Sequence, residues 1–258
     1  MQFVEVDGTK LYYRTSGLLG GPMLLLSNSL GKTHRMWLPQ IAAFEQRYRV
    51  ITYDARGHGQ SDAPKGPYSM GMLADDAAAI LDAAGVTRTH WCGVSIGGMT
   101  GLAFAIHHPD RIDRLVVSNT AAYAGGREPW AARAAKVRED GMASLLPGAL
   151  ERWVTPAFRA KHPPILDVLI ADFLANDVEG YVGNCQAVGD MDLRSELALI
   201  RAPALIIVGS DDAAATPADG DFLEANIPGA RRVTLSASHV ANIEVPDVFA
   251  DAVIDFLA

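Results

Sequence analysis

The stretch Trp91-Cys92-Gly93-Val94-Ser95-Ile96-Gly97-Gly98-Met99 carries the pattern Gly-x-Ser-x-Gly between a short apolar run at 90–94 and a helical pattern at 96–107. Such a junction is a nucleophile elbow, a strained strand-to-helix turn that raises a serine hydroxyl at the carboxyl edge of a sheet. The flanking glycines belong there because a Cβ would clash where strand and helix pass closely. With 24 glycines in 258 residues and serine at roughly one residue in twenty, random sequence would show the pattern in about one chain in ten. The five residues alone therefore decide little, and the strand before them and the helix after them carry the weight.

On both sides of the elbow the chain alternates in the same way. Short runs suited to burial on two faces recur at 23–26, 50–53, 115–118, 204–208 and 233–235, as parallel strands require. Helical patterns at 70–84, 96–107 and 246–257 supply the crossovers between them. Near the start, Asp7-Gly8 offers the positive φ angles of a tight hairpin between runs at 2–6 and 11–15. The reading is an α/β fold: a mostly parallel, doubly wound sheet with antiparallel N-terminal strands. From 124 to 193 the alternation gives way to successive helical patterns without a strand, among them Trp130, Ala134, Val137 and Gly141. The expected organisation is a core of 1–123 and 194–258 with a helical cap inserted at 124–193.

Composition excludes several classes. At 49% hydrophobic and 20% charged residues the chain can offset its ordering entropy, so it is not disordered. A net charge of -8 is opposite in sign to what phosphate backbones attract, and nucleic acid is not an expected partner. No apolar run approaches a bilayer span and the first residues are not a signal peptide, so the expectation is a cytoplasmic protein with no membrane partner. Cys92 and Cys185 are too few for a disulfide framework and are read as reduced and structural. Nothing in the sequence decides between a monomer and a homo-oligomer.

A serine hydroxyl needs a base, and the base an orienting acid. The elbow therefore predicts Asp or Glu and then His, each after a later strand. The run at 204–208 leads into Gly209-Ser210-Asp211-Asp212, and the run at 233–235 into Ser236-Ala237-Ser238-His239. Both partners stand where they are required, with Asp211 and Asp212 competing for one role. The oxyanion hole would take one N–H from Ile96 and a second from Leu30, in the loop after the first parallel strand. His34 and His58 are expected on loops near the same sheet edge, as candidates to line the site. No histidine pair has metal-ligand spacing backed by carboxylates, Gly57-His58-Gly59 lacks the third glycine of a dinucleotide fingerprint, and no phosphate-cradling Gly-x-x-x-x-Gly-Lys occurs. Neither a metal nor a cofactor is expected.

The chain resembles the α/β-hydrolase superfamily along its length, through the elbow and through Asp54-Ala55-Arg56-Gly57-His58-Gly59-Gln60-Ser61-Asp62. Within it the sequence is similar to the 3-oxoadipate enol-lactonases of aromatic catabolism. The narrower marks are Ser27-Asn28-Ser29-Leu30-Gly31, Glu151-Arg152-Trp153, Asp190-Met191-Asp192-Leu193 and Ser238-His239-Val240-Ala241-Asn242-Ile243-Glu244. The resemblance implies that the acid is the third residue after the strand-ending glycine, hence Asp212, completing a triad with Ser95 and His239. It implies a hydrolase opening a small carboxylated enol-lactone through an acyl-enzyme. A general carboxylesterase, another lactonase, a carbon–carbon bond hydrolase, a perhydrolase and a non-catalytic small-ligand receptor are the competing readings.

A substrate carboxylate calls for a local cation in a protein of this net charge. Arg127, Arg133 and Arg138 are the candidates; Arg133, one turn from Trp130, is the first choice, level with the reading of a solvated or ion-paired helix arginine. Trp130 and Trp153 read first as cap packing and second as pocket lining. Gly189 stands where similar lactonases carry an arginine, which would alter anion recognition, and Ala213-Ala214-Ala215 replaces a loop richer in proline.

Overall fold

Eight strands form one sheet: β1 (Gln2–Val6), β2 (Thr9–Gly17), β3 (Met23–Ser27), β4 (Arg49–Tyr53), β5 (Thr89–Val94), β6 (Ile112–Ser118), β7 (Ala204–Gly209) and β8 (Arg231–Leu235). The structure, a computed structural model, describes residues 2–258. Strand order is β1-β2-β4-β3-β5-β6-β7-β8. β2 is antiparallel to β1 and β4, and β3 through β8 are parallel. The α/β expectation is met, including the hairpin at Asp7 (φ 49°) and Gly8 (φ 77°). β2 runs longer than 11–15 because Gln2–Val6 pairs with its first half and Arg49–Tyr53 with its second.

Helices follow in the order α1 (Leu38–Glu45), α2 (Met70–Ala83), α3 (Ile96–His107), α4 (Arg127–Asp140), α5 (Leu146–Trp153), α6 (Pro156–Lys161), α7 (Pro164–Leu174), α8 (Val178–Asp190), α9 (Pro217–Asn226), α10 (Ala241–Glu244) and α11 (Pro246–Leu257). Their starts are written locally. Ser69 accepts from the Met72 N–H ahead of α2, Asp177 from Gly180 ahead of α8, and Thr216 with Asp219 forms a capping box on α9.

Alternate strand residues feed two cores, as a period of two demands. Leu25, Ile51, Trp91 and Val117 pack with Leu73, Leu102 and Phe104 of α2 and α3, while Leu24, Val50, Cys92 and Val116 pack with Phe44 and Phe249 of α1 and α11. The chain leaves β3 for β4 on one side and returns to β5 on the other, so the carboxyl ends of β3 and β5 border the crevice where open α/β sheets place ligands.

Helices α4–α8 occupy the connection between β6 and β7, with an isolated bridge from Tyr123 to Asp192 at its neck. Val137, Leu166, Phe173 and Tyr181 from these helices join the second core, and Val188 and Met191 the first. The segment therefore rests on both layers above the carboxyl edge. Among the described residues no helix is long and apolar enough to cross a membrane.

Candidate active site

Ser95 lies between β5 and α3 at φ 58° and ψ -119°, a backbone state that costs energy for a non-glycine residue. Close packing enforces it. A Cβ on Gly93 would stand 2.1 Å from the Gly97 carbonyl oxygen, and one on Gly97 2.2 Å from the carbonyl oxygen of Ser27. The elbow is thus locked between its own helix and β3, with the hydroxyl directed outward.

Ser95 Oγ is 2.9 Å from His239 Nε2, and His239 Nδ1 lies 2.8 Å and 3.1 Å from the two oxygens of Asp212. The three residues come together from the ends of β5, β7 and β8. Asp212 is 3% exposed, and three further donors hold its carboxylate. Its Oδ1 accepts the N–H groups of Ala214 and Ala215, and its Oδ2 accepts Asn119 Nδ2 at 3.0 Å, whose amide also reaches the Ser238 carbonyl. Burial acts to raise the Asp212 carboxyl, but the His239 bond and charge, with the Asn119 and Ala215 donors, outweigh it and hold its pKa below the usual range. Asp211 is exposed, and among the described residues its carboxylate meets only Ser210 Oγ. Asn119, in a left-handed conformation at φ 50°, had no signal in the sequence beyond ending a strand.

Leu30 and Ile96 both border the cavity above Ser95. The Ile96 N–H opens α3 and, like that of Leu30, has no acceptor among the described residues, so both are free for a ligand oxygen. The Leu30 loop is tightly tied: Gly31 N–H donates to His58 Nε2 at 2.8 Å, Asn28 Nδ2 to the Tyr53 carbonyl, and Trp37 Nε1 to Asn28 Oδ1. Here the structure corrects one expectation. His58 is buried as an acceptor for the Gly31 N–H, with burial pulling its pKa down to about 4, and His34 pairs with Asp54 at 2.8 Å; neither lines the cavity.

The cavity has about 680 Å³ of non-atom space with its open mouth included. Its walls are largely apolar, with Met99, Val188 and Phe173 among them, and both Trp130 and Trp153 face it. Of the three candidate arginines only Arg133 lines it. Its Nε and Nη2 donate to Tyr181 Oη at 2.8 Å and 2.6 Å, and among the described residues it has no carboxylate partner, whereas Arg127 pairs with Asp190 and Arg138 with Glu179. A second cation, not singled out from the sequence, is Arg152 at the end of α5, whose pKa is lowered by burial and by the neighbouring Arg133 charge. Behind the wall, Lys32 is fully buried without a hydrogen-bond partner, its Nζ 2.8 Å from the Trp153 ring centre. Gly189 is not at the cavity. It seats α8 against α4, where a Cβ would come within 3.0 Å of Trp130 Cβ. Among the described residues no cluster of three or more His, Cys, Asp or Glu is placed to hold a metal.

A serine, an imidazole and a carboxylate in series at the edge of such a sheet are the arrangement found in serine hydrolases. The chain belongs to the alpha/beta hydrolase fold family, which matches residues 22–177, and it is an ester-hydrolysing enzyme of that family. It is 42% identical, over 94% of its length and 91% of the relative's, to 3-oxoadipate enol-lactonase 2 of Acinetobacter baylyi. The crystal structure of the enol-lactonase from Burkholderia xenovorans LB400 superposes with a TM-score of 0.97 at 45% identity, covering 99% of each chain. A hydrolase from Pseudomonas aeruginosa PA01 gives the same TM-score at 41% identity, covering 100% of this chain and 98% of that one.

Proposed function

We propose that the protein opens the ring ester of a small carboxylated enol-lactone, converting 3-oxoadipate enol-lactone to 3-oxoadipate. The observation that carries this reading is the Ser95–His239–Asp212 series opening into an apolar cavity whose wall holds Arg133 and Arg152 with no carboxylate partner. In this reading Ser95 is the nucleophile, His239 the base and Asp212 the acid that fixes the imidazole tautomer. The helical segment 124–193 acts as a cap, and Trp130, Trp153 and Arg133 contact substrate.

His239 Nε2 takes the hydroxyl proton as Ser95 Oγ attacks the ring carbonyl, and the N–H groups of Leu30 and Ile96 hold the oxyanion. Collapse of the intermediate breaks the ring C–O bond. The departing enolate takes the proton from His239 and tautomerises to the ketone. Because an enol leaves more readily than an alkyl alcohol, ring opening needs less general-acid help than an ordinary ester, which makes deacylation by water the slower step. His239 then activates that water, and the acyl group departs as the second carboxylate.

The test is a product assay on carboxylated enol-lactones, neutral lactones and aryl esters, run beside Ser95→Ala. Turnover concentrated on the carboxylated enol-lactone and absent in Ser95→Ala is expected. Neutral esters as the best substrates would replace this reading with a general carboxylesterase, and an active Ser95→Ala would end the serine mechanism.

A further inference from the structure

Glu244 closes α10, five residues after His239 and outside the Ser95–His239–Asp212 series. Its carboxylate collects donors from two distant segments. From the junction of α5 and α6 come the Thr155 N–H, at 3.2 Å and 3.3 Å to the two oxygens, and the Thr155 hydroxyl; from the loop after β8 comes the Ser238 N–H at 2.9 Å. The two carboxylate oxygens thus serve three groups together, the Thr155 N–H and hydroxyl and the Ser238 N–H.

The same two segments are joined directly. α5 ends at Trp153 because Val154 is extended at φ -140° and ψ 154°, which leaves its last carbonyls without helical partners. The base loop takes them up. Ser238 Oγ donates to the Arg152 carbonyl at 2.8 Å and Val240 N–H to the Trp153 carbonyl at 2.9 Å. His239 therefore sits between two residues whose backbone or side chain is bonded to the end of α5, and Glu244 locks that seam from outside. The helix end that faces the cavity with Arg152 and Trp153 is thus tied to the loop that carries the base.

We infer that Glu244 is a positioning residue, which through Ser238 and Thr155 holds His239 in register with Ser95 and couples its pose to the Arg152–Trp153 wall. The inference rests on the proposed role of His239 as base. With its glutamine replacement one oxygen remains for the donors of two segments, and the amide nitrogen turns a donor toward donors. A loop free to shift His239 by a fraction of an ångström loses proton-transfer geometry without losing substrate contacts.

Glu244→Gln is expected to lower kcat about 10- to 100-fold with KM within about twofold, and by the same factor on a neutral aryl ester as on a carboxylated lactone. The distinguishing measurement is a double-mutant cycle with His239→Ala on an activated aryl ester, where turnover well above the water rate survives loss of the base. In that background Glu244→Gln should change the residual rate by less than about twofold, since no imidazole is left to position. A fall as large as in the wild-type background would make Glu244 a structural support only and overturn the inference. So would an unchanged kcat in folded Glu244→Gln. If that variant does not fold, Thr155→Val, which removes one donor and keeps the carboxylate, should still lower kcat about threefold at constant KM, and a wild-type kcat there overturns the inference. A Ser95→Ala protein that retains turnover signals failure of the underlying mechanism separately.

Discussion

In the proposed reading, selectivity for a charged substrate would rest on Arg133. Its guanidinium is braced by two bonds to Tyr181 Oη and meets no acid, so in Arg133→Ala a carboxylated lactone loses a charge-assisted bond of about 1.5–3 kcal/mol, or about 10- to 150-fold in kcat/KM. In the proposed reaction the carboxylate takes no part in bond making or breaking, so Arg133 would hold it alike in the ground and transition states. Most of the loss should therefore appear in KM rather than kcat. A neutral lactone or aryl ester of similar size makes no such bond, and its kcat/KM should stay within about twofold. Tyr181→Phe keeps the charge and removes only the brace, so it should cost the carboxylated substrate about two- to fivefold. Steady-state kinetics on the paired substrates read all of this. An equal fall on both substrates would show that Arg133 only supports the helix packing of α4 on α8. No fall on either, with a selective fall in Arg152→Ala, would move the anion contact to α5.

Three further perturbations follow from the geometry. Asp212→Asn should lower kcat by about four orders of magnitude through the wrong imidazole tautomer, whereas Asp211→Asn, at an exposed carboxylate, should stay within about twofold; a reversed ranking would displace the acid by one residue. Gly97→Ala drives a methyl group to 2.2 Å from the Ser27 carbonyl oxygen and should destabilise the protein by about 3 kcal/mol or more, read by urea denaturation, and native stability there would refute the packing account of the elbow. Lys32→Met replaces a buried amine that lacks an acceptor with a side chain suited to the Trp153 face, and should stabilise by about 1–3 kcal/mol. Burial holds the folded-state Lys32 pKa well below 10.5, so between that lowered value and 10.5 the unfolded chain binds a proton that the folded chain does not. Wild-type stability should therefore rise with pH through that window, and Lys32→Met should lack this part of the slope. A parallel pH profile in the two proteins would show that Lys32 is charged where it lies.

The sheet and the order of Ser95, Asp212 and His239 along it were legible because each is written within a few residues: an apolar run, a turn, and a polar side chain just past the carboxyl end. What one step of sequence cannot convey is side-chain direction. Asp211 and Asp212 were separated by the resemblance alone, and the physical reason appears only when Asn119, 93 positions away, and the Ala214 and Ala215 N–H groups are seen to converge on Asp212. The alanine run, where similar lactonases carry a loop richer in proline, thus supplies two of the N–H groups that seat Asp212.

The cavity wall was less legible, and the reason is again sequence separation. Every helix from α4 to α8 has a plausible buried face, but which face meets the sheet is decided by close approaches such as Gly57 to Gly180, where a Cβ on either glycine would come within 2.7 Å of the other's backbone. On α4, Trp130 and Arg133 share the cavity side while Arg127 and Arg138 find carboxylates outside. At the end of α5, Arg152 enters the wall and its carbonyl meets Ser238, 86 residues away. Lys32 shows the limit most sharply. Its residue type predicts exposure, and only the aromatic pair Trp153 and Phe173, delivered by two different helices, closes over it. A residue of the loop that presents Leu30 is therefore in contact with the wall that carries Arg152. In the proposed mechanism, substrate contacts at the helical segment and the alignment of the Leu30 N–H would therefore share one set of side chains.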